Sequence, residues 1–349
     1  MPARTADGSA ILSGATDGGS TMAPRDDCIA RWTRSHFCEV PPSKAGQRLD
    51  AFLAKTFPYR SRTNWAAFVR AGRIQLNDSP ARPGRALRGG DRIQYLPDPR
   101  PEPRVSRAYR VIHEDASTLA IRKPANLPVH PSGRYFMNTL LLMLLAERSE
   151  DLGSTNLRIV HRLDRETSGV ILFGKGRDAA ASLARQFETR SVRKRYLAIV
   201  HGSPGEERFE VNAPIGRDTE SPVRKAMTVR SEGAAARTRF QVLRRGPAHA
   251  LVLARPLTGR LHQIRVHLRH AGLPIVGDKV YGLDPELFLR FVGGKLSEAD
   301  RRRLLWRRQA LHAWSITLRH PEDDRPITFR ASVGSSWKRL LERLEIGGA

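Results

Sequence analysis

The chain has 349 residues, with 60 Lys+Arg against 35 Asp+Glu and a formal net charge of +25. That length suggests about two domains, and two cysteines, Cys28 and Cys38, exclude a disulfide framework and a cysteine metal finger. The longest apolar run, Leu140 to Ala146, falls far short of the roughly 18 residues a spanning helix needs, so no membrane segment is expected.

The surplus charge is unevenly placed. Residues 1–45 hold five basic and five acidic side chains, so the whole +25 lies in 46–349. Residues 1–35 are rich in Gly, Ala, Ser, Thr and Asp and lack an apolar stretch. Asp7, Asp17, Asp26 and Asp27 also speak against an acid-poor transit peptide. Residues 1–45 read as a disordered tail and lead-in, and the reducing cytoplasm is the expected compartment.

Residues 46–98 read as a small domain. Leu49, Phe52 and Leu53 fall on one helical face at i, i+3 and i+4. Ser61 caps a second predicted helix, 62–71, ended by Gly72. A strand over 73–76, the Asn77-Asp78 turn pair and a strand over 92–96 follow. The proline-rich stretch Pro97 to Pro103 reads as a stiff linker, with the boundary at 99–104.

Residues 105–345 form the expected large domain. Short strands are predicted at 110–113, 118–122, 169–175, 195–201, 237–243, 249–255, 310–318 and 327–331. Helices are predicted at 178–189, 261–271 and 336–344. Strands outnumber helices and do not alternate with them regularly, which points to an α+β fold with a mixed sheet.

Three motifs lose to simpler readings. Gly174 to Ala179, GKGRDA, has the spacing of a dinucleotide fingerprint, but the acid required about 20 residues on is missing, so a strand-to-helix turn is preferred. His262, His267 and His270 are interleaved with Arg260, Arg265 and Arg269, a poor setting for a divalent cation. His161-Arg162-Leu163-Asp164 lacks the downstream Asn and the glycine loop of a kinase.

The basic residues are 51 arginines and nine lysines. Arginine binds phosphate bidentately and stacks on bases, so the expected partner is a polyanion, foremost a nucleic acid. The segment His161 to Gly169, HRLDRETSG, sets one carboxylate, Asp164, between Arg162 and Arg165 ahead of a strand. From composition alone it is equally a surface loop with local ion pairs.

HRLDRETSG, together with GRLHQIRVHL at 259–268, resembles the RluA-type family of pseudouridine synthases. Lys123-Pro124 with Leu127 to Gly133, Lys194 to Ala198, Gly277-Asp278-Lys279 with Tyr281-Gly282, and Leu311-His312-Ala313 resemble further blocks of that family, in the same order. Residues 46–98 resemble the S4 RNA-binding module through Arg48-Leu49-Asp50, Ser61-Arg62 and Gly72. Asn126 stands where the family usually has glycine, and Arg122 where an acid or amide is frequent. Residues 285–308, with basic runs at 301–303 and 307–308, look like a family-variable insertion.

The resemblance implies a largely antiparallel central sheet with flanking helices, preceded by a small α/β RNA-binding domain. It implies isomerisation of uridine to pseudouridine within RNA, foremost large-subunit ribosomal RNA. Substrate and product are isomers, so it implies no cofactor and no metal. It places the essential carboxylate at Asp164, which could attack C1′, add to the uracil ring or abstract a sugar proton. Arg265 would hold that carboxylate ionised, and Tyr196 would pack on the uracil and assist removal of the C5 proton. Arg162 is the candidate plug for the stack a flipped base vacates.

Arg48, Ser61, Arg62, Arg70 and Arg73 are the candidate RNA contacts of the small domain, which carries ten basic and four acidic residues. No membrane or protein partner is implied, and a monomer is expected. Two other readings fit the charge: a non-catalytic RNA-binding or ribosome-assembly factor, and a synthase acting on transfer RNA. A DNA binder is disfavoured because no helix-turn-helix, homeodomain or finger signature is present.

Overall fold

The computed structural model describes residues 37–57, 60–96, 102–148, 157–284 and 286–347. Their contacts divide them into two compact units, one drawn from 22–107 and 127–157, the other from 108–126 and 158–349. The tail expected over 1–35 and most of the Pro97 to Pro103 linker lie outside the described residues.

The smaller unit holds β1 (Phe37–Glu39), α1 (Leu49–Thr56), α2 (Arg62–Arg70), β2 (Ile74–Leu76), β3 (Ser79–Pro80) and β4 (Arg92–Tyr95). The strands form one sheet in the order β1-β4-β2-β3. The predicted helical face is the one that buries, with Leu49, Phe52 and Leu53 packed in the core beside Trp65, Val69 and Ile74. Asn77 and Asp78 take φ of 50° and 61°. These are the left-handed values that a two-residue hairpin turn demands and that Asn and Asp tolerate best.

Ser61 caps α2, its hydroxyl accepting the Asn64 N–H at 3.2 Å. Ser61→Ala should cost about 1 kcal/mol of helix stability, seen as several-fold faster hydrogen exchange in α2. Unchanged exchange would show the cap to be idle.

Two segments enter this unit from outside the range 46–98. Phe37–Glu39 lies in the stretch read as lead-in, yet it pairs antiparallel with β4, Cys38 facing Ile93. Three residues are too few to show a period, and their pairing is not local. The apolar run at 140–146 becomes α3 (Leu140–Arg148), buried from Leu140 through Ala146. A helix covered on every side has no polar stripe to mark it.

The larger unit is built on a ten-stranded sheet. Its strands are β5 (Arg110–Glu114), β6 (Thr118–Lys123), β7 (Leu157–Ile159), β8 (Ser168–Lys175), β9 (Arg193–His201), β10 (Arg208–Asn212), β13 (Arg237–Arg245), β14 (His249–Pro256), β15 (Leu311–Arg319) and β16 (Pro326–Arg330). The main path runs β10-β13-β14-β9-β15-β8-β6-β5, with β16 beside β15 and β7 beside β8. The β15–β8 pair is parallel, and the other registered pairs are antiparallel. The expected α+β class with a mixed, largely antiparallel sheet is therefore what forms. β11 (Ile215–Arg217) and β12 (Met227–Val229) make a separate hairpin. The edge strand β10 alternates Phe209 and Val211 with polar residues, a period-2 signal the expected strands leave unused.

The helices α4 (Arg177–Glu188), α5 (Gln263–His270) and α8 (Ser335–Arg343) bury apolar faces against this sheet through Leu183, through Ile264 and Leu268, and through Trp337 and Leu340. The GKGRDA segment is the turn between β8 and α4. A Cβ on Gly174 would stand 2.5 Å from Ala180 Cα, so glycine there serves close strand–helix packing. The insertion folds into α6 (Leu287–Val292) and α7 (Glu298–Leu304). Part of its charge is paired within it or beside it: Arg290 meets Asp284 and Asp300, and Arg302 meets Glu298.

Candidate active site

The loop carrying Asp164 is fixed at both ends. His161 accepts the Leu172 N–H at 2.9 Å and stacks on Phe187, and burial pushes its imidazole down to about 3. It is therefore a neutral anchor. At the other end Ser168 bonds His312 Nδ1 at 2.8 Å, while His312 Nε2 sits 2.9 Å from the Ala331 carbonyl. The carbonyl requires the proton on Nε2, so Nδ1 accepts from the serine. Gly169 follows at φ 114°, where a Cβ would stand 2.1 Å from the Ala313 carbonyl oxygen. Only glycine lets β8 lie this close to β15.

Between those ends, buried groups grip the loop. Lys123, fully buried, donates to the Pro124 and Arg165 carbonyls at 2.9 and 3.1 Å, and burial pushes its ammonium down to about 7. Lys279 pairs with Glu166 at 2.9 Å and donates to the Arg307 carbonyl. Gln309 donates to Thr167 at 2.6 Å. Phe291 of the insertion lies against both cations, 4.7 Å from Lys279 and 5.6 Å from Arg165.

The result is a carboxylate, Asp164, presented at one guanidinium. Arg265, buried on α5, donates from Nη1 to Asp164 Oδ2 at 2.8 Å. Its Nε and Nη2 donate to the two oxygens of Asp278 at 2.6 and 2.9 Å. Asp278 also accepts the Val280 and Tyr281 N–H groups. The guanidinium lies 4.8 Å from the Tyr281 ring centre. Burial disfavours the Asp164 anion, but Arg265 outweighs it and holds the carboxyl below the usual range.

His262 completes the arrangement. Its Nε2 lies 3.8 Å from Asp164 Oδ1 and its Nδ1 lies 2.8 Å from the Tyr281 hydroxyl. That hydroxyl accepts the Met227 N–H at 2.9 Å, and its own hydrogen then has His262 Nδ1 as acceptor. The proton of the neutral ring therefore sits on Nε2, facing the carboxylate. Burial, then the Arg265 charge, hold this imidazole down to about 4, so it is neutral at pH 7.

Tyr196 stands on β9, paired with Ala254 of β14 and Ala313 of β15. Burial first, and the Asp164 charge second, push its phenol well above the ordinary value. It is a neutral hydrogen-bonding group near neutral pH, and not a base in its own right.

Asp164, Tyr196 and Arg265, far apart in sequence, thus share one electrostatic environment. Arg162 is exposed beside the loop. Asp278, Tyr281 and His262 are additions that sequence reasoning missed. The first two lie in a block whose only signal is its family resemblance, and His262 is masked by two unlike histidines nearby. His267 is a buried packing residue bonded to Thr238 and the Ala213 carbonyl, whereas His270 is exposed. Among the described residues no cluster of His, Cys, Asp or Glu has the arrangement of a metal site.

In the smaller unit, Arg48 and Arg62 both pair with the buried Asp50, at 3.0 and 3.2 Å, each keeping about half its side chain exposed. Arg70 is exposed and Arg73 half-buried. Ser61 spends its hydroxyl on the helix cap. Asn126, standing where glycine is usual, has φ 58°, a conformation asparagine tolerates.

Residues 117–270 match the model of the RNA pseudouridylate synthase family, and residues 47–93 match the S4 domain. A "ribosomal large subunit pseudouridine synthase D" of Neisseria meningitidis is 37% identical over 318 residues, spanning 88% of this chain and 82% of that protein. One of the same description from Xanthomonas campestris is 35% identical over 311 residues, 87% of this chain and 91% of the relative. The solved human RNA pseudouridylate synthase domain containing 4 superposes with a TM-score of 0.52 at 30% identity, covering 68% of this chain and 94% of that one. No helix of the described residues is long and apolar enough to cross a membrane.

Proposed function

Since the chain belongs to the RNA pseudouridine synthase family, we propose that Asp164 is its catalytic carboxylate and that its substrate is large-subunit ribosomal RNA. The observation that carries the first point is the Asp164–Arg265–Asp278 line. One buried arginine, pinned bidentately by Asp278, offers an Nη1–H to Asp164. Asp278 aims the guanidinium; its own charge opposes the Asp164 anion, but the Arg265 charge and hydrogen bond still hold Asp164 ionised. An ionised, oriented oxygen is what each of the three routes to breaking the glycosidic bond requires.

Tyr196, as a neutral phenol, packs on the uracil and hydrogen-bonds during removal of the C5 proton. His262 Nε2–H faces the same carboxylate and helps to orient it. The target follows from the descriptions of the relatives and from an S4 module with a basic helix pair. Arg48, Ser61, Arg62, Arg70 and Arg73 belong to that module, the four arginines as phosphate contacts and Ser61 through the turn it shapes. Work on ribosomal RNA sets the reaction in the cytoplasm, with the enzyme acting as a monomer.

The test is to map pseudouridines in total RNA by carbodiimide-dependent primer stops, with and without this gene. Loss of a stop in large-subunit ribosomal RNA supports the target. Loss confined to transfer RNA replaces it, and no loss anywhere favours a non-catalytic factor.

A base stacked in a helix cannot present N1, C1′ and C5 to a carboxylate, so it must be extruded at a cost of a few kcal/mol. Arg162, exposed two residues before Asp164, fills the gap. Arg162→Ala should raise KM for a structured RNA about ten-fold and leave KM for an unpaired oligonucleotide within two-fold. Equal effects on both would remove this role.

A further inference from the structure

One cleft of the larger unit has no part in the chemistry above. It measures about 330 Å³ and lies between α4, the start of β9 and the β15–β16 pair. Ser182 and Arg185 reach it from one face of α4, at i and i+3. Arg193 and Thr317 are direct cross-strand partners, and Arg319 is two residues further along β15 on the same face. Ser191 completes the wall.

The geometry of this cleft is fixed by contacts that leave its charges outward. The Gln186 side chain donates to the Arg319 carbonyl and accepts the Arg319 N–H, both at 2.8 Å, tying α4 to β15. Thr317 bonds Thr328 across β15 and β16. Three guanidiniums line the cleft against one carboxylate, Asp324, which Arg319 already holds at 3.3 Å. The net lining charge is therefore about +2, with hydroxyls set among the cations. That is the chemistry of a phosphodiester site: bidentate donors, neutral donors, and only one competing anion.

The helix α4 connects the cleft to the Asp164 loop. The same helix that carries Arg185 stacks Phe187 on His161, the first residue of that loop.

We infer that this cleft binds the sugar–phosphate backbone of the substrate RNA, away from the reacting nucleotide. The inference rests on the RNA substrate proposed above. It would extend the RNA footprint beyond the small domain and explain why so much of the surplus charge lies in the larger unit.

The test uses the full chain and the double variant Arg185→Gln/Arg193→Gln. Both side chains are exposed and form no core contact, so folding is preserved. Affinity for a large-subunit ribosomal RNA transcript is measured from about 50 to 200 mM salt. At about 0.7 to 0.9 per phosphate, losing two contacts lowers the log–log slope by about 1.4 to 1.8. The drop in affinity over that range then becomes roughly ten-fold smaller than for the wild type. Turnover at saturating RNA stays within two-fold while KM rises.

An unchanged slope overturns the inference. So does a thermal shift with inorganic phosphate that the variant loses while its RNA slope is intact, because the cleft would then serve a free anion. Wild-type protein that binds the transcript but forms no pseudouridine would remove the proposed activity and leave the slope comparison readable.

Discussion

Asp164→Asn should lower pseudouridine formation by on the order of 10⁴-fold and leave RNA affinity within about two-fold. Asparagine has nearly the same shape, and its amide oxygen can still accept from Arg265 Nη1. What it removes is the negative charge and the nucleophilic or basic oxygen. The fold should hold, because Arg265 keeps both bonds to Asp278, and the loop keeps Lys123, Lys279 and Gln309. The measurement is single-turnover product formation beside a binding isotherm. Product at wild-type rate would remove Asp164 from the chemistry. Lost binding together with lost product would recast it as a structural residue.

Asp278→Ala should be the most damaging change to stability. Asp278 has no exposed side-chain surface and accepts from Arg265 twice and from two backbone amides. Removing it strands a buried guanidinium with Asp164 alone, at a cost of about 3 to 5 kcal/mol. Turnover should fall as well, because Arg265 would no longer be aimed. A loss below about 1 kcal/mol in urea unfolding would show that the site relaxes without this pair.

The pH dependence has a definite sign. Burial opposes the Asp278 anion, but Arg265 outweighs it and holds the folded carboxyl below its ordinary value. The unfolded chain therefore binds that proton first as pH falls. The stability Asp278 supplies is fully present above about 3.9, the unfolded value, and is lost as pH drops through the lower folded value. The gap in stability between wild type and Asp278→Asn should be constant near neutrality and close below about pH 4. A gap that instead closes as pH rises above neutrality would contradict the assignment.

Arg265 and Asp278 illustrate what could be read in advance. Arg265 was legible as a cation for Asp164 through its motif. That one guanidinium would be shared between two carboxylates was not, because the second lies in a loop without periodicity, 13 residues on. His262 was hidden for a different reason. It shares a short stretch with His267 and His270, and nothing local tells the three apart. Yet His262 begins the helix at φ 57° facing Asp164, while His267 points into the core. Helical phase separates them only once the start of α5 is known. β1 and α3 were unread because neither carries an amphipathic period: one is three residues of non-local pairing, the other is buried all round.

The sequence by itself determined the elements with a clear period, the turn at Asn77-Asp78, the cap at Ser61, and the basic balance that calls for a polyanion. These depend on neighbours within a few residues, where backbone sterics and local burial act. Only the tertiary structure decided that Asp164 shares Arg265 with Asp278, that burial raises the Tyr196 phenol above its ordinary value, and that Arg185 and Arg193 face one cleft. Those properties arise from charges and desolvation between residues remote in the chain, Asp164 and Arg265 being 101 positions apart. A sheet whose strand order is not the order of the chain brings them together.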